Sequence, residues 1–435
     1  MKISVIGCGY LGAVHAACMA SLGHEVVGVD VDERKAAALS RGEAPFFEPG
    51  LPELLTEAMA TGRLSFTTDM SAVEGADVHF VCVGTPQKAG EYAADMTYVD
   101  SAFTELRPYL REGNVVAGKS TVPVGTAERL AAELEGSGAV LVWNPEFLRE
   151  GFAVEDTLHP DRLVYGVAAS EAGQRSVEVL DEVYATPISE GTPRLVTDYA
   201  TAQLVKVAAN SFLATKISFI NAMAELCEAT GADVTQLADA IGHDVRIGRR
   251  FLNAGLGFGG GCLPKDIRAF MARAGELGVD QALTFLREVD AINLRRRARM
   301  LDLARAELGG SVANRKVAVL GAAFKPNSDD IRDSPALDVA IQLGKESARV
   351  TLFDPEAMPN AKAKAPELGY ADSIEDAVDG AELVLLLTEW KQFVEMDPKA
   401  IGELVDGRRI LDGRNVLVPS EWRDAGWTYR ALGRQ

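Results

Sequence analysis

The chain opens on a short apolar run, Lys2-Ile3-Ser4-Val5-Ile6, that ends in Gly7-Cys8-Gly9-Tyr10-Leu11-Gly12 and passes into an alanine- and methionine-rich stretch over residues 10–21. A strand, a glycine turn and a helix in that order admit few folds, chiefly parallel sheets with helices across both faces. Glu25–Asp30 reads as the next strand, and Val78–Val83, Val115–Ala117 and Val140–Trp143 follow with helical stretches between them. This alternation predicts an α/β fold built on a doubly wound parallel sheet. The pattern then returns. Lys316–Gly321 echoes Lys2–Gly7, Arg349–Asp354 echoes the second strand, and Ala381–Thr388 echoes Ala76–Gly84. A second Rossmann-like domain is therefore expected. Its turn, Gly321-Ala322-Ala323-Phe324-Lys325-Pro326, lacks the later glycines, so a dinucleotide fits poorly there and another nucleotide-like ligand, or none, is expected.

Between the two repeats, Asp198–Thr230 holds neither glycine nor proline, and Leu204, Val207, Ala208, Phe212, Phe219, Met223 and Leu226 recur at helical spacing. One long helix is predicted, with Thr197 as its N-cap and Gly231 as its stop. Such a helix either belongs to a core or lines a subunit interface. The boundaries that result are 1–196, 197–309 and 310–435, two Rossmann-like domains joined by a central long-helix region.

A net charge of −19 argues against a nucleic-acid partner and against an anionic membrane surface. The 5 cysteines show no CxxC pair, which speaks against zinc or any other metal site and against a disulfide framework. Free thiols suit a reducing compartment. The first strand starts at Lys2, which leaves no room for a signal peptide, and no apolar run approaches the ~20 residues of a membrane span. A cytoplasmic protein is expected.

In the opening turn, Gly7 permits the sharp bend, Gly9 lets backbone approach a pyrophosphate, and Gly12 lets the helix pack close to the sheet. Free N–H groups at the helix start then face the phosphates. Asp30 ends the second strand, where a carboxylate accepts from the adenosine ribose and repels a 2′-phosphate, so NAD is expected rather than NADP, although Arg34 and Lys35 lie nearby. Gly84-Thr85-Pro86 and Ser120-Thr121-Val122-Pro123 follow two further strand ends. Their hydroxyls suit contacts to a nicotinamide ribose or a catalytic water, and equally suit ordinary turn chemistry.

Cys262 closes the run Gly257-Phe258-Gly259-Gly260-Gly261 and precedes Leu263-Pro264-Lys265-Asp266. The glycines allow a ligand to reach backbone and thiol together, and Pro264 suits the first turn of a helix. The thiol then lies near a helix N-terminus, where a thiolate is stabilised, with Asp266 one turn on and placed to hold a water. Cys8, Cys18, Cys82 and Cys227 read as buried apolar residues. Lys206 and Asn210 stand one turn apart on the long helix. The lysine either reaches to solvent or, in a cleft, stabilises a developing alkoxide. Glu146 and Glu150, in Asn144-Pro145-Glu146-Phe147-Leu148-Arg149-Glu150-Gly151, follow a strand end where site loops lie, or start a solvated helix. A hydride acceptor beside a nucleophilic thiol is what takes an alcohol past the aldehyde to an acid.

Taken together these segments resemble the UDP-glucose/GDP-mannose dehydrogenase family over nearly the whole chain. The likeness rests on GCGYLG at 7–12, FFEPGL at 46–51, GTP at 84–86, KSTVPVGT at 119–126 and NPEFLREG at 144–151, then on LVKVAANSF at 204–212, GFGGGCLPKD at 257–266, FKPNSDDIRDSP at 324–335 and DGRN at 412–415. It implies a four-electron oxidation of the C6 alcohol of a nucleotide sugar with two NAD, through a thiohemiacetal and a thioester on Cys262. UDP-glucose, going to UDP-glucuronate, is the favoured substrate and GDP-mannose the alternative. Residues 1–196 would bind NAD, 197–309 would carry the cysteine loop and a homodimer contact, and 310–435 would bind the nucleotide sugar.

By motif, Cys262 is the nucleophile, Lys206 and Asn210 hold the oxyanion, Asp266 and Thr121 hold the water, and Glu146 assists proton transfer. The NAD contacts would come from Gly7, Gly9, Tyr10, Leu11, Gly12, Asp30 and Lys35, with Gly84, Thr85, Thr121, Glu150, Lys265 and Arg332. The sugar nucleotide would meet Phe147, Leu148, Arg149 and Glu150, then Phe251, Leu252, Asn253, Gly255 and Gly259, besides Lys206 and Asn210. Phe324, Lys325 and Arg414 would add the C-terminal domain, and Arg246 would reach a neighbouring subunit's site. Two other classes remain: a two-electron hydroxy-acid dehydrogenase with an incidental thiol, and a non-catalytic NAD-binding regulator.

Overall fold

The first apolar run forms β1 (Lys2–Ile6), in which Ile3, Ser4, Val5 and Ile6 are buried, as a central parallel strand covered on both faces requires. The chain continues through β2 (Glu25–Val29), β3 (Leu64–Thr67), β4 (Val78–Val81), β5 (Val115–Gly118), β6 (Val140–Trp143), β7 (Leu163–Gly166) and β8 (Arg194–Thr197). Their order in the sheet is β3-β2-β1-β4-β5-β6-β7-β8. The pairs are parallel except β6 with β7, which meet antiparallel at Trp143 and Gly166, so the sheet is mostly rather than wholly parallel. The strand order reverses between β1 and β4, the place where such sheets open a crevice at their carboxyl ends.

The computed structural model describes residues 1–434. These fall into two compact units, Met1–Ala209 with Arg268–Gly278, and Asn210–Ile267 with the chain from Val279 onward. The second unit holds the second sheet: β9 (Lys316–Leu320), β10 (Arg349–Phe353), β11 (Gly369–Tyr370), β12 (Leu383–Leu386), β13 (Arg409–Asp412) and β14 (Thr428–Ala431). Its order, β11-β10-β9-β12-β13-β14, has the Rossmann connectivity, and its ladders are all parallel. The fold is thus two Rossmann-like sheets with a long-helix region between them in the chain.

A shared device closes the first turn of each sheet. Asp30 follows β2 and accepts the N–H of Cys8 at 2.8 Å and of Asp32 at 2.9 Å. Asp354 follows β10 and accepts from Ala322 at 2.7 Å, Ala323 at 3.0 Å, Ala357 at 2.9 Å and the Trp390 indole at 3.1 Å. Asp354 is fully buried and wholly committed to backbone and indole, whereas Asp30 keeps an edge at the surface.

The long helix runs Tyr199–Thr230. Its cap is Asp198 rather than the expected Thr197: the Asp198 carboxylate accepts the Thr201 N–H at 2.7 Å, which satisfies one of the orphan donors of the first turn. Gly231, at φ 77, ends it as expected, with its N–H on the Cys227 carbonyl. No helix of the described residues is long and apolar enough to cross a membrane.

Within the second unit the helix Thr284–Glu307 is tied to this helix by arginine. Arg296 is completely buried and meets Glu228 at 3.0 Å and Glu225 at 3.6 Å, while Arg299 takes the other Glu228 oxygen at 2.7 Å. A buried ion pair contributes little against an apolar replacement, but removing one partner strands the other. Glu228→Ala strands the buried Arg296 and is expected to cost ~3 kcal/mol or more, whereas Arg296→Met leaves Glu228 paired with Arg299 and is expected to cost no more than ~1 kcal/mol. Urea and thermal unfolding of the full-length variants measure both; equal losses would contradict this account.

Candidate active site

At the carboxyl end of β1 the three glycines act differently. Gly7 adopts φ 86, and a Cβ on Gly12 would overlap the Gly7 carbonyl oxygen, so only glycine lets the helix Tyr10–Ser21 sit this close to the turn. Around Gly9, by contrast, a Cβ would meet open space. This turn therefore has room at the helix N-terminus and N–H groups facing it, and it fits a dinucleotide pyrophosphate. Asp30 stands at the neighbouring strand end, Leu11 is half-buried, and Lys35 lies half-buried in the helix Glu33–Leu39. Tyr10 turns its hydroxyl inward, donating to Glu48 and accepting the Gly151 N–H at 2.9 Å. Beyond β4 and β5 the turns are laced together. Thr85 donates to the Thr121 carbonyl at 2.8 Å and Ser120 to the Val83 carbonyl at 2.6 Å, while a Cβ on Gly84 would meet open space. Two of these hydroxyls thus do turn chemistry.

β6 ends in Asn144-Pro145-Glu146. Glu146 accepts the Leu148 N–H at 2.7 Å and meets Lys206 Nζ at 3.1 Å; both side chains of the pair are largely buried. Phe147 lies near two cations, with the Arg162 guanidinium 3.8 Å and Lys206 Nζ 5.5 Å from its ring centroid. Arg149 turns away to a two-pronged bond with Asp156, at 2.9 and 2.6 Å. Glu150 and Leu148 are half-buried in the same segment.

The second unit carries the thiol. Cys262 is exposed and immediately precedes the helix Leu263–Glu276, and its carbonyl accepts the Asp266 N–H at 3.0 Å. The buried Asp266 carboxylate accepts from Asn210 Nδ2 at 2.6 Å and from Lys265 Nζ at 2.6 Å. The other four cysteines are buried; burial pushes the Cys18 and Cys82 thiols up to about 12 and raises Cys8 and Cys227 as well, which leaves them inert.

The glycine run before Cys262 owes its composition to a neighbouring loop rather than only to ligand access. Gly260, at φ 82, would drive a Cβ to 2.7 Å from the Phe324 ring. A Cβ on Gly259 would overlap the Asp333 carbonyl, and one on Gly261 the Arg332 guanidinium. Gly260 N–H donates to the Arg332 carbonyl at 2.8 Å, and Arg332 itself pairs with Asp330 at 2.7 Å. Arg414 is also committed, donating to the carbonyls of Leu387, Gly257 and Phe324 at 2.7, 3.0 and 3.0 Å. Lys325 Nζ lies 5.5 Å from the Phe324 ring centroid.

Of the remaining expected contacts, Phe251 is exposed in the left-handed region at φ 64, a conformation that a bulky residue adopts only when its surroundings impose it. Leu252 is buried, Asn253 accepts from Arg249 at 2.8 Å, and Gly255 N–H donates to Asn221 at 2.9 Å. Leu252, Asn253 and Arg414 help line a cavity of about 400 Å³ together with Arg249, Asn415 and Arg434. Arg246 is the outlier: its side chain is 85% exposed and pairs locally with Asp244 at 2.6 Å.

The structure also places residues that the sequence reading passed over. Lys119 is buried beside Asn144 and Tyr184. Glu48, 2% exposed, accepts the N–H groups of Gly151 and Ala153 at 2.6 and 2.7 Å. An acid inside the otherwise apolar Phe46-Phe47-Glu48-Pro49-Gly50-Leu51 was its only signal.

Known proteins share this arrangement. Residues 1–188 match the NAD binding domain of the UDP-glucose/GDP-mannose dehydrogenase family, residues 200–295 its central domain and residues 318–419 its UDP binding domain. A UDP-glucose 6-dehydrogenase of Rhizobium meliloti is 43% identical over the full length of both chains. The UDP-glucose 6-dehydrogenase TuaD of Bacillus subtilis is 40% identical over 100% of this chain and 93% of its own. A solved UDP-glucose dehydrogenase from Pyrobaculum islandicum superposes with a TM-score of 0.90 at 38% identity, covering 100% of this chain and 98% of that one. With sheet order, glycine turn, cysteine loop and full-length similarity in agreement, the chain belongs to the UDP-glucose/GDP-mannose dehydrogenase family.

Proposed function

We propose that this enzyme oxidises the C6 alcohol of UDP-glucose to the carboxylate of UDP-glucuronate, using two NAD and forming a covalent intermediate on Cys262. The carrying observation is the thiol itself: Cys262 is exposed at a helix start while the other cysteines are buried. UDP-glucose is preferred to GDP-mannose because the full-length relatives described above are UDP-glucose enzymes. By this reading the first sheet binds NAD, through the Gly7–Gly12 turn and Asp30, and the second binds the nucleotide of the sugar. Lys325 and the Phe251–Gly255 segment serve that second site. The protein works in the cytoplasm.

NAD, when bound, supplies the hydride acceptor, once for the alcohol and once for the thiohemiacetal. The chain's own residues do the rest. Glu146, already hydrogen-bonded to Lys206, takes the alcohol proton as the first hydride leaves, and Lys206 and Asn210 hold the resulting oxygen. The Cys262 sulfur adds to the aldehyde carbon, forming a C–S bond and an alkoxide that the same two donors stabilise. Loss of the second hydride gives a thioester. Asp266, fixed by Asn210 and Lys265, and Thr121 hold the water that attacks it; the C–S bond breaks and the thiol is regenerated. The balance is one alcohol, one water and two NAD+ in, one carboxylate, two NADH and three protons out.

A homodimer is part of this reading, and exposed apolar residues on the long helix support it. Phe212, Phe219 and Leu226, exposed by 66, 49 and 58%, recur every seven residues along the long helix, the spacing of a helix seam. Arg246, extended into solvent, is then free to serve the neighbouring subunit.

Three outcomes are expected. NADH formed per UDP-glucose consumed is two, and Cys262→Ala loses uronic-acid formation while traces of aldehyde-level oxidation persist; Cys262→Ser stalls as a covalent ester visible by intact-mass spectrometry. Near wild-type acid formation by Cys262→Ala would sink the covalent route. NAD is preferred to NADP, and Asp30→Ala narrows that preference by roughly tenfold, measured as the ratio of the two kcat/KM values. Phe219→Glu converts the dimer to monomer in light scattering; a monomeric wild type would refute the seam.

A further inference from the structure

Behind Glu146 the first unit buries an ammonium group that the scheme above leaves idle. Lys119 directly follows β5, is 6% exposed, and donates to Asn144 Oδ1 at 3.1 Å and to the Tyr184 hydroxyl at 3.3 Å. Its Nζ lies 5.7 and 5.8 Å from the ring centroids of Phe80 and Tyr184. Both hydrogen-bond acceptors are neutral. A buried charge held by neutral oxygens costs stability, and an apolar side chain of the same length would serve packing better. Nor is the charge needed to satisfy Asn144. Tyr184 already donates to Asn144 Oδ1 at 2.8 Å, Asn144 Nδ2 donates to the Val164 carbonyl at 3.0 Å, and Asn144 N–H donates to the Gly118 carbonyl at 2.8 Å. The ammonium therefore has a use other than packing.

What lies next to it is Glu146. Asn144 is the last residue but one before that carboxylate, and Lys119 and Glu146 line one cavity of about 50 Å³. His15, Tyr184, Asp156, Asp161 and Arg162 also line it, and Cys82 and Lys206 act on Lys119 from the neighbouring strand end and the long helix. Burial keeps His15 neutral, with its pKa well below the usual histidine range, and Cys82 is protonated, so the cations about Glu146 are Lys206, bonded to it, and Lys119 and Arg162, which share its cavity.

We propose that Lys119 is a positioning residue for Glu146: its buried ammonium, acting through Asn144 and across the cavity, holds and polarises the carboxylate that Lys206 also grips. This rests on Glu146 being the proton acceptor of the oxidation. Burial lowers the Lys119 pKa to about 8, opposed by the nearby Cys82 and Glu146, so the charge is largely present at neutral pH and is lost above pH 8. The sign for stability follows. A lysine whose folded pKa lies below its unfolded value weakens the fold at neutral pH, and the penalty fades as pH rises from about 8 toward the ordinary lysine value.

Lys119→Met separates this role from packing. The full-length variant is expected to lose at least about tenfold in kcat, with the KM for NAD changed by less than about twofold. Its thermal midpoint at pH 7 is expected to hold or rise, and the fall in kcat expected of the wild type above about pH 8 should be absent. Tyr184→Phe, which keeps the charge and the Lys119–Asn144 bond, should stay within about threefold of wild type. Wild-type kcat in Lys119→Met overturns the proposal. So does a loss of activity that tracks a fallen midpoint or failure to fold, which marks a packing role, and so does a Tyr184→Phe loss as large as that of Lys119→Met. NADH counted per sugar in the wild type keeps the two readings apart: a ratio of one refutes the four-electron function, whereas a ratio of two with an indifferent Lys119→Met refutes this inference alone.

Discussion

A carboxylate at the end of the second strand holds shut the turn that follows the first, and it does so in both sheets. In the first unit Asp30 leaves part of its surface uncovered, so the group that pins the turn can also accept from a ligand. In the second, Asp354 spends its capacity on four backbone N–H groups and an indole. One device thus has two settings, open and saturated. The difference agrees with NAD at the first turn, and it removes from the second the acid that a dinucleotide ribose requires.

The chemistry proposed here depends on charge kept out of water. Lys206 and Glu146 form a nearly buried pair, Asp266 is buried beneath Asn210 and Lys265, and Lys119 is buried with neutral partners. Each arrangement is poor for stability and good for catalysis, because a fixed charge in a low-dielectric setting acts on a developing oxyanion without waiting for solvent to reorganise. The stability is recovered elsewhere, in two large apolar sheet cores.

Much of the fold was legible because central parallel strands are buried on both faces and read as unbroken apolar runs. β1 and β6 match their expected bounds, and β2, β4, β9 and β10 differ by one or two residues at their ends. β3, β7, β8, β13 and β14 were not read. β3 and β14 alternate buried and exposed positions, and β8, Arg194–Thr197, is largely exposed at the sheet edge, so no unbroken apolar run marks them. The Asp198 cap was missed by one residue because Thr197 and Asp198 both suit the role, and only the bond to Thr201 distinguishes them. In the site, residue types and spacing pointed to Lys206, Asn210, Cys262, Glu146 and Asp266, but not to which of them pair. Glu146 lies 60 positions from Lys206 and Asp266 lies 56 from Asn210, separations that only the folded chain closes. The glycines before Cys262 read as access for a ligand; that the 324–335 loop presses on them is invisible in a linear sequence.

Glu48 adds a point about tolerance. It sits on neither sheet, yet its carboxylate grips both Tyr10, at the head of the first helix, and the N–H groups of Gly151 and Ala153, just past Glu146 and Glu150. The dimension between the glycine turn and the acidic segment is therefore set by one small part, like the shim between two machined faces. A side chain shortened by a single methylene at this position would reset that spacing for every residue on either side, even though it touches none of the groups that do the chemistry.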